Sequence, residues 1–412
     1  MKKVTARQVR KPNAFLYYGV TPFLKLFFQT FYRLRIDRSD IKDLKPPYLV
    51  VAGHSCWFDY IIVGSSLFPT RLNFVGAYNF FRDRTLASLF KHLGVIPKFQ
   101  YTKDIQSIKM MKLCVDVGGA LVLFPHGCLS NDGRPGGYAS IGVAKLVKFL
   151  DVPVVSVKTD GGYLTRPRWT RTSRRGRLET KVSVALTIEQ VRDLSSNEIY
   201  ERLMESIRYD DYKWQRERMI PFKAKKPAEG VEYVLYKCPK CESEFSLYSE
   251  DNRLTCRECG NTVIMNKYLL FEPADSKTVL FDGIDKWFDY QIDCLFKEIN
   301  DPAFYLETTT ELRYNDPGHF GYQPKGRGVL TMTRDAVTYT GSVDGKDTVL
   351  EFPMTNIQMM PYAAGEYIEI ADGGLISRFI FDDKPVMMKW VLALRLIRDK
   401  FYEEFKHYEE KQ

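Results

Sequence analysis

The 412-residue sequence predicts an α/β domain with a mainly parallel sheet, followed by a small four-cysteine ribbon and a β-rich domain closed by a C-terminal helix. Three patterns predict it. From residue 48 onward short apolar runs alternate with helical stretches, as in a parallel sheet with helical crossovers. Two C-x-x-C pairs then stand fourteen residues apart. The final third holds β-like runs with a hairpin signal, and one helical pattern closes the chain. The length exceeds one compact core, so several domains are expected.

A composition of 45% apolar, 27% charged and 14% aromatic residues excludes a disordered chain. The net charge of +9 suits an anionic partner, either a membrane surface or a nucleic acid, and composition alone does not separate these.

Residues 1–36 begin to separate them. A basic start, "MKKVTARQVRK", leads into "NAFLYYGVTPFLKLFFQTFYRLR", in which Lys25 is the one internal charge. Asn13 is expected to cap a short helix ending at Gly19, with Thr21 and Pro22 as N-cap and first residue of a second helix. On that second helix Phe23, Leu24, Phe27, Phe28, Phe31 and Leu34 share one face. A spanning helix needs about 20 apolar residues without an interior proline and lysine. A secretory signal needs a small-residue cleavage site, which "YRLRID" lacks. The segment therefore reads as an amphipathic helix lying in a membrane interface, the alternative being a helix that covers the core of its own domain.

Residues 37–220 read as the α/β domain. "YLVVAGH", "NFVGA", "ALVLFP" and "VPVVSVK" are buried strands, with helices expected near 58–67, 83–92, 103–117 and 137–150. Chemistry in such sheets collects beyond the C-terminal strand ends. His54 follows the first of these strands and "FPHG" the third. Asp59, five residues after His54, can return across the strand-to-helix turn onto the imidazole and fix its tautomer. That is the base-and-orienter half of a catalytic triad, with the nucleophile supplied by a substrate hydroxyl. A buried histidine satisfied by a neighbouring aspartate is the bland alternative.

Four segments together resemble the glycerolipid acyltransferases, the lysophosphatidate acyltransferase superfamily. "GHSCWFDYIIVG" resembles the family's H-x-x-x-x-D box, and "GVIPKFQ" at 94–100, "LVLFPHGCLS" at 121–130 and "VPVVSVK" at 152–158 follow in the family's order. The resemblance spans residues 12 to 215. It implies that His54 is the general base and Asp59 its partner, moving an acyl group from a thioester to a glycerol hydroxyl. Phe124, Pro125 and Gly127 match the motif that contacts the acceptor's phosphate in the family. His126, Cys128 and Leu129 stand where the family has Glu, Thr and Arg, and Gln100 where it has Arg. Lys98, His126 and the stretch "TRPRWTRTSRRGR" at 165–177 could restore the missing charge, or the acceptor is not a simple phosphomonoester. The resemblance thus implies an O-acyltransferase acting on a lysophospholipid-type acceptor, such as 1-acyl-glycerol-3-phosphate. Its donor would be an acyl carrier protein thioester, a coenzyme A thioester or an acyl phosphate.

In that basic stretch Arg168, Arg171, Arg174 and Arg175 are expected to hold anionic headgroups. "LETKVSVAL" reads as a further strand, Ser195 and Glu198 as a capping box opening a helix to about Glu217, and 221–230 as a linker.

Cys238, Cys241, Cys256 and Cys259 mark 231–266 as a zinc ribbon, whose four thiolates hold a structural zinc ion. Two disulfides would need an oxidising compartment. The reducing alternative, with a lipid substrate, points to a peripheral, monotopic enzyme on the cytoplasmic face of the membrane. Cys56, Cys114, Cys128 and Cys294 are expected to be reduced, with Cys56 and Cys128 as wall residues of the site. A competing reading is a non-enzymatic zinc-ribbon scaffold, or a nucleic-acid or lipid-binding protein with a degenerate acyltransferase domain. The ribbon's own Glu242, Glu244, Glu250, Asp251 and Glu258 argue against nucleic acid.

Residues 267–303 read as a helical connector, with its helix at 283–299, and 304–412 as a β-rich domain. Asp344-Gly345 marks a tight hairpin. In the closing helix Val386, Trp390, Leu394 and Ile397 share a face. The architecture resembles the pleckstrin-homology and GRAM-like barrels, whose members bind lipids or proteins; a stabilising appendage is the alternative.

Overall fold

The computed structural model describes residues 9–82, 84–99, 104–137, 139–315, 321–357, 359–372 and 375–402. The chain divides into two compact units, Met1–Ala224 and Lys225–Gln412, with the division inside the linker-like 221–230.

In the first unit β1 (Arg35–Asp37), β2 (Tyr48–Ala52), β3 (Leu72–Ala77), β4 (Ile96–Lys98), β5 (Ala120–Leu123), β6 (Val154–Asp160) and β7 (Glu179–Leu186) form one sheet. Their order is β1-β7-β6-β2-β5-β3-β4. From β6 to β4 all neighbours are parallel, while β7 runs against β6. The helices are α1 (Ala14–Phe31), α2 (Asp59–Leu67), α3 (Arg84–His92), α4 (Ile105–Asp116), α5 (Gly142–Leu150), α6 (Gly162–Thr165), α7 (Ile188–Asp193), α8 (Ser196–Ser206) and α9 (Asp211–Arg218).

All of β2 is buried because both faces of the sheet are covered. Leu49 and Val51 join Leu121, Val154 and the apolar faces of α4, α5 and α8 on one side. Tyr48, Val50 and Ala52 join Val122, Val155 and Val63 and Leu67 of α2 on the other. Alternation along one strand thus feeds two cores.

Two helical boundaries differ from expectation. α1 is one helix with Pro22 inside it, capped by Asn13, whose Oδ1 accepts from Leu16 N at 3.0 Å. Pro22 forgoes one hydrogen bond, but packing holds both halves: the Tyr17 hydroxyl donates to Thr70 O at 2.5 Å, and Phe28, 2% exposed, lies among Cys56, Ile62 and Leu178. Conversely, the helix expected to run to Glu217 breaks after Ser206, because Asp210 starts α9 as a new cap, accepting from Lys213 N at 2.8 Å.

In the second unit β8 (Leu247–Glu250), β9 (Arg253–Cys256), β10 (Thr262–Met265) and β11 (Phe271–Pro273) form an antiparallel sheet in the order β11-β10-β9-β8. β11 comes from the stretch read as connector. After α10 (Ile284–Glu298) come β12 (Leu306–Tyr314), β13 (Gln323–Met332), β14 (Ala336–Val343), β15 (Lys346–Pro353), β16 (Tyr362–Ala363), β17 (Tyr367–Asp372) and β18 (Leu375–Phe381). They form a seven-stranded antiparallel sheet in the order β15-β14-β13-β12-β18-β17-β16. Asp344 (φ 49°) and Gly345 (φ 81°) make the β14–β15 turn, since a two-residue hairpin that follows the sheet twist needs positive φ at both positions. α11 (Met387–Phe401) closes the chain of described elements, with Trp390 5.4 Å from the Phe381 ring. A charge network joins the ribbon to both helices: Lys389 Nζ lies 2.6 Å from carboxylate oxygens of Glu244 and of Glu298, and Lys237 reaches the same two residues at 3.2 and 3.7 Å.

Candidate active site and metal centre

The central strands β2 and β5 are parallel neighbours, so the segments after them emerge side by side. One carries His54 and the other Phe124 to Gly127. The two loops are tied together: His54 O accepts from Ser130 N and from the Tyr209 hydroxyl, each at 3.2 Å. Gly53 permits the second contact, because a Cβ there would lie 2.9 Å from the Tyr209 ring.

Asp59 opens α2 and is buried. Its Oδ2 accepts from Cys56 N at 2.9 Å and its Oδ1 from Ser55 Oγ at 3.1 Å, while the helix N-terminus favours the negative charge. His54 Nδ1 lies 2.8 Å from Asp59 Oδ2. An ionised carboxylate only accepts, so Nδ1 carries the proton and the Nε2 lone pair is left as the base. Among the described residues nothing hydrogen bonds that second nitrogen. The imidazole stacks on Phe124 at 4.5 Å and meets the edge of Tyr60 at 5.7 Å, which fixes its plane. Cys56 is buried against this pair, and burial, then the Asp59 charge, pushes its thiol well above the ordinary range. Cys128 lies on the neighbouring loop, where its thiol donates to Gly136 O at 2.9 Å.

His126 is 9% exposed, and its Nδ1 is sealed from water with no hydrogen-bond partner among the described residues. Burial, then the neighbouring His54, lowers its pKa to about 4. The side chain is therefore neutral at physiological pH and supplies no positive charge. The unfolded imidazole takes its proton near 6.5 and the folded one only near about 4. Between those values the unfolded state binds the extra proton, so stability present above pH 6.5 is lost as pH falls, by about 3 kcal/mol in all at ~1.4 kcal/mol per unit. Denaturant titrations at stepped pH should show this slope, and His126→Asn should flatten it.

Lys98 ends the edge strand β4, two strands from β5 and so about 10 Å away by strand spacing. It is half-buried, burial lowers its pKa, and its Nζ reaches Phe99 O at 3.4 Å. Gln100 lies outside the described residues. The basic stretch is not one exposed patch. Arg174 is 1% exposed, stacked 4.6 Å from the Trp169 ring, with Nη1 on Leu164 O. It cannot meet a headgroup, and the sequence expectation is corrected there. Arg175 is exposed but stacks on Phe31 at 4.4 Å, with its Nε donating to Phe31 O at 3.0 Å. Arg168 donates to Leu129 O and Asn131 Oδ1 at 3.2 and 3.3 Å. Phe28 is likewise core, so the apolar face that α1 leaves open runs instead through Phe15, 92% exposed, Phe23, 73% exposed, Leu26 and Phe27.

Sequence reasoning missed Tyr209 and Ser130, which hold the His54 backbone. Tyr209 lies 155 residues away and carries no local signal.

In the second unit the four Sγ atoms of Cys238, Cys241, Cys256 and Cys259 lie within 4.8 Å of one another. Cys238–Cys259 and Cys241–Cys256 are 3.8 and 3.7 Å apart. A tetrahedron of thiolates about 2.3 Å from a zinc ion has an S···S edge of about 3.8 Å, whereas a disulfide is near 2.05 Å. The residues therefore fit a four-thiolate metal site. Tight turns build it: Glu242 N donates to Cys238 O at 3.0 Å and Gly260 N to Cys256 O at 3.0 Å, with positive φ at Glu242 and Gly260.

A mainly parallel α/β sheet sets an oriented imidazole beyond its central strands, and among the described residues no side-chain nucleophile hydrogen bonds its second nitrogen, an arrangement that can take a proton from a hydroxyl brought to it. Residues 33–159 match the family model described as Acyltransferase. A solved structure, "Crystal Structure of the 1-acyl-sn-glycerophosphate (LPA) acyltransferase, PlsC, from Thermotoga maritima", is 15% identical over 45% of this chain and 80% of that one, with a TM-score of 0.35. No curated protein matches the chain.

Proposed function

We propose that the chain transfers an acyl group to the hydroxyl of a lysophospholipid-type acceptor at a membrane surface. The carrying observation is the His54–Asp59 pair, Asp59 buried and His54 part-buried, with its second imidazole nitrogen unengaged among the described residues, inside the acyltransferase stretch. His54 Nε2 takes the acceptor hydroxyl's proton as the oxygen attacks the donor carbonyl. The carbonyl carbon's bond to the thiolate or phosphate then breaks, and the leaving group receives the proton from the imidazolium. Asp59 stabilises that imidazolium. Acyl carrier protein thioester, coenzyme A thioester and acyl phosphate all fit this step. Phe124 positions the imidazole, Pro125, His126 and Gly127 form the wall against which the acceptor lies, and Lys98 serves at most from the rim.

The four cysteines hold a structural zinc ion in a ribbon. The seven-stranded sheet with α11 reads as a PH/GRAM-like domain, a likeness of architecture that by itself assigns no ligand.

Among the described residues no helix is long and apolar enough to cross a membrane. α1 carries Lys25 as its one charge, and Phe15, Phe23, Leu26 and Phe27 stand open on it, which suits an interfacial helix on the cytoplasmic face. Burying one phenylalanine is worth roughly 1.5–3 kcal/mol. Phe23→Asp with Leu26→Asp should therefore cut co-sedimentation with anionic vesicles at least ~10-fold and acyl transfer to vesicle-borne lysolipid with it, while about 1 M salt, at a Debye length of about 3 Å, releases only part of the protein. A protein that stays soluble beside such vesicles and acylates no lysolipid in them overturns the reading.

A further inference from the structure

We propose that His126 reads the acceptor as a neutral hydrogen-bonding group, so that the site takes an acceptor whose polar group beside the reacting hydroxyl is a second, uncharged hydroxyl rather than a phosphomonoester. This rests on the acyl-transfer chemistry of the reading above, and departs from it in the acceptor, which is a neutral lysolipid in place of a lysophospholipid. A hydroxyl that reaches the His54 base must lie against the loop after β5, because β2 and β5 are adjacent and Ser130 N holds His54 O. From Phe124 to Ser130 that loop has no charged side chain. Leu129 is buried, and the Cys128 thiol is turned onto Gly136 O. The guanidinium of Arg168, which approaches the loop, is engaged with Leu129 O and Asn131 Oδ1. Next to His126, Gly127 has φ +65°, and the direction of its missing Cβ is open for 4 Å. The loop therefore offers room, and an imidazole with no hydrogen-bond partner among the described residues.

Burying a polar nitrogen unpaired is unfavourable unless a partner arrives. A neutral imidazole has one donor and one acceptor, and so does a hydroxyl; a phosphomonoester dianion only accepts, and would shed its water beside no cation of the loop. A polar group built to pair with a hydroxyl rejects an acceptor that cannot pair with it. The depressed proton affinity of His126 agrees, because the ring stays neutral where the enzyme would work.

The test is a competition assay with the full-length protein and each donor class in turn. Mixed vesicles present a monoacylglycerol, a lysoglycolipid and lysophosphatidate together, with His54→Ala as blank. Transfer to the neutral acceptors at ten or more times the kcat/KM for lysophosphatidate is expected, and the two neutral arms tell a glyceryl hydroxyl from a glycosyl one. His126→Asn should lower kcat/KM for the preferred acceptor by about 5- to 150-fold, mainly through KM. His126→Arg should move the ratio toward lysophosphatidate. A wild-type preference for lysophosphatidate, which needs no variant to measure, overturns the inference and leaves the acyltransferase reading standing. Transfer to no acceptor overturns both.

Discussion

Replacing His54 by alanine is expected to lower acyl transfer by about 10²–10⁴-fold, the range general-base catalysis contributes, with the fold intact. The fold should survive because the imidazole has one hydrogen-bonding partner among the described residues, Asp59, and because the backbone carbonyl that joins the two loops remains. Asp59→Asn should fall nearly as far for a different reason. Its amide can donate to Nδ1, which places the proton on Nε2 and removes the lone pair that takes the acceptor's proton. Ser55 Oγ and Cys56 N, which both donate to Asp59, then compete for one carbonyl oxygen. Initial rates with a vesicle-borne lysolipid, beside thermal melting curves of the same preparations, separate lost chemistry from lost fold. A folded His54→Ala protein that retains full activity overturns the mechanism.

The parallel sheet was legible because β2 and β5 are apolar on both faces, β6 opens with buried Val154 and Val155, and all three are bounded by turn residues, a pattern few other arrangements produce. The spacing of His54 and Asp59 was legible for the same local reason: a turn of fixed length joins strand to helix. What sequence missed was set by distant packing. Pro22 looked like a boundary, yet the contacts of Tyr17 and Phe28 with the domain carry the helix through it. The arginine run looked like surface, but Trp169 and the carbonyl of Leu164 draw Arg174 inside. His126 looked like a replacement cation; burial beside a second histidine makes it neutral. Charge in a sequence is a property of residue type, whereas protonation and exposure depend on neighbours that the chain supplies from far away.

Removing zinc is expected to unfold the ribbon of the second unit and loosen the two helices beside it. The sheet of β8 to β11 is small, with Leu247, Leu254, Val263, Met265 and Phe271 as its buried apolar side chains. Set against that, a structural zinc site supplies about 10–16 kcal/mol of apparent binding energy at neutral pH, which in such a domain is folding energy. The effect should spread through Lys237 and Glu244, which flank Cys238 and Cys241 and form half of the network with Glu298 of α10 and Lys389 of α11. When the ribbon disorders, Lys389 and Glu298 each lose one opposite charge but keep each other at 2.6 Å, so the two helices loosen by less than the about 3–5 kcal/mol of a fully broken buried pair. Elemental analysis should find one zinc per chain, absent from a Cys238→Ser, Cys256→Ser variant. Hydrogen exchange after chelation should rise across 238–266 and then in 387–401. Hydrogen exchange around His54 should stay unchanged, since neither His54 nor Asp59 is a ligand of the four-thiolate cluster. A metal-free native protein whose four thiols titrate freely, with chelators leaving exchange in 238–266 unaltered, would remove zinc from the account and leave the ribbon to be explained by its apolar contacts alone.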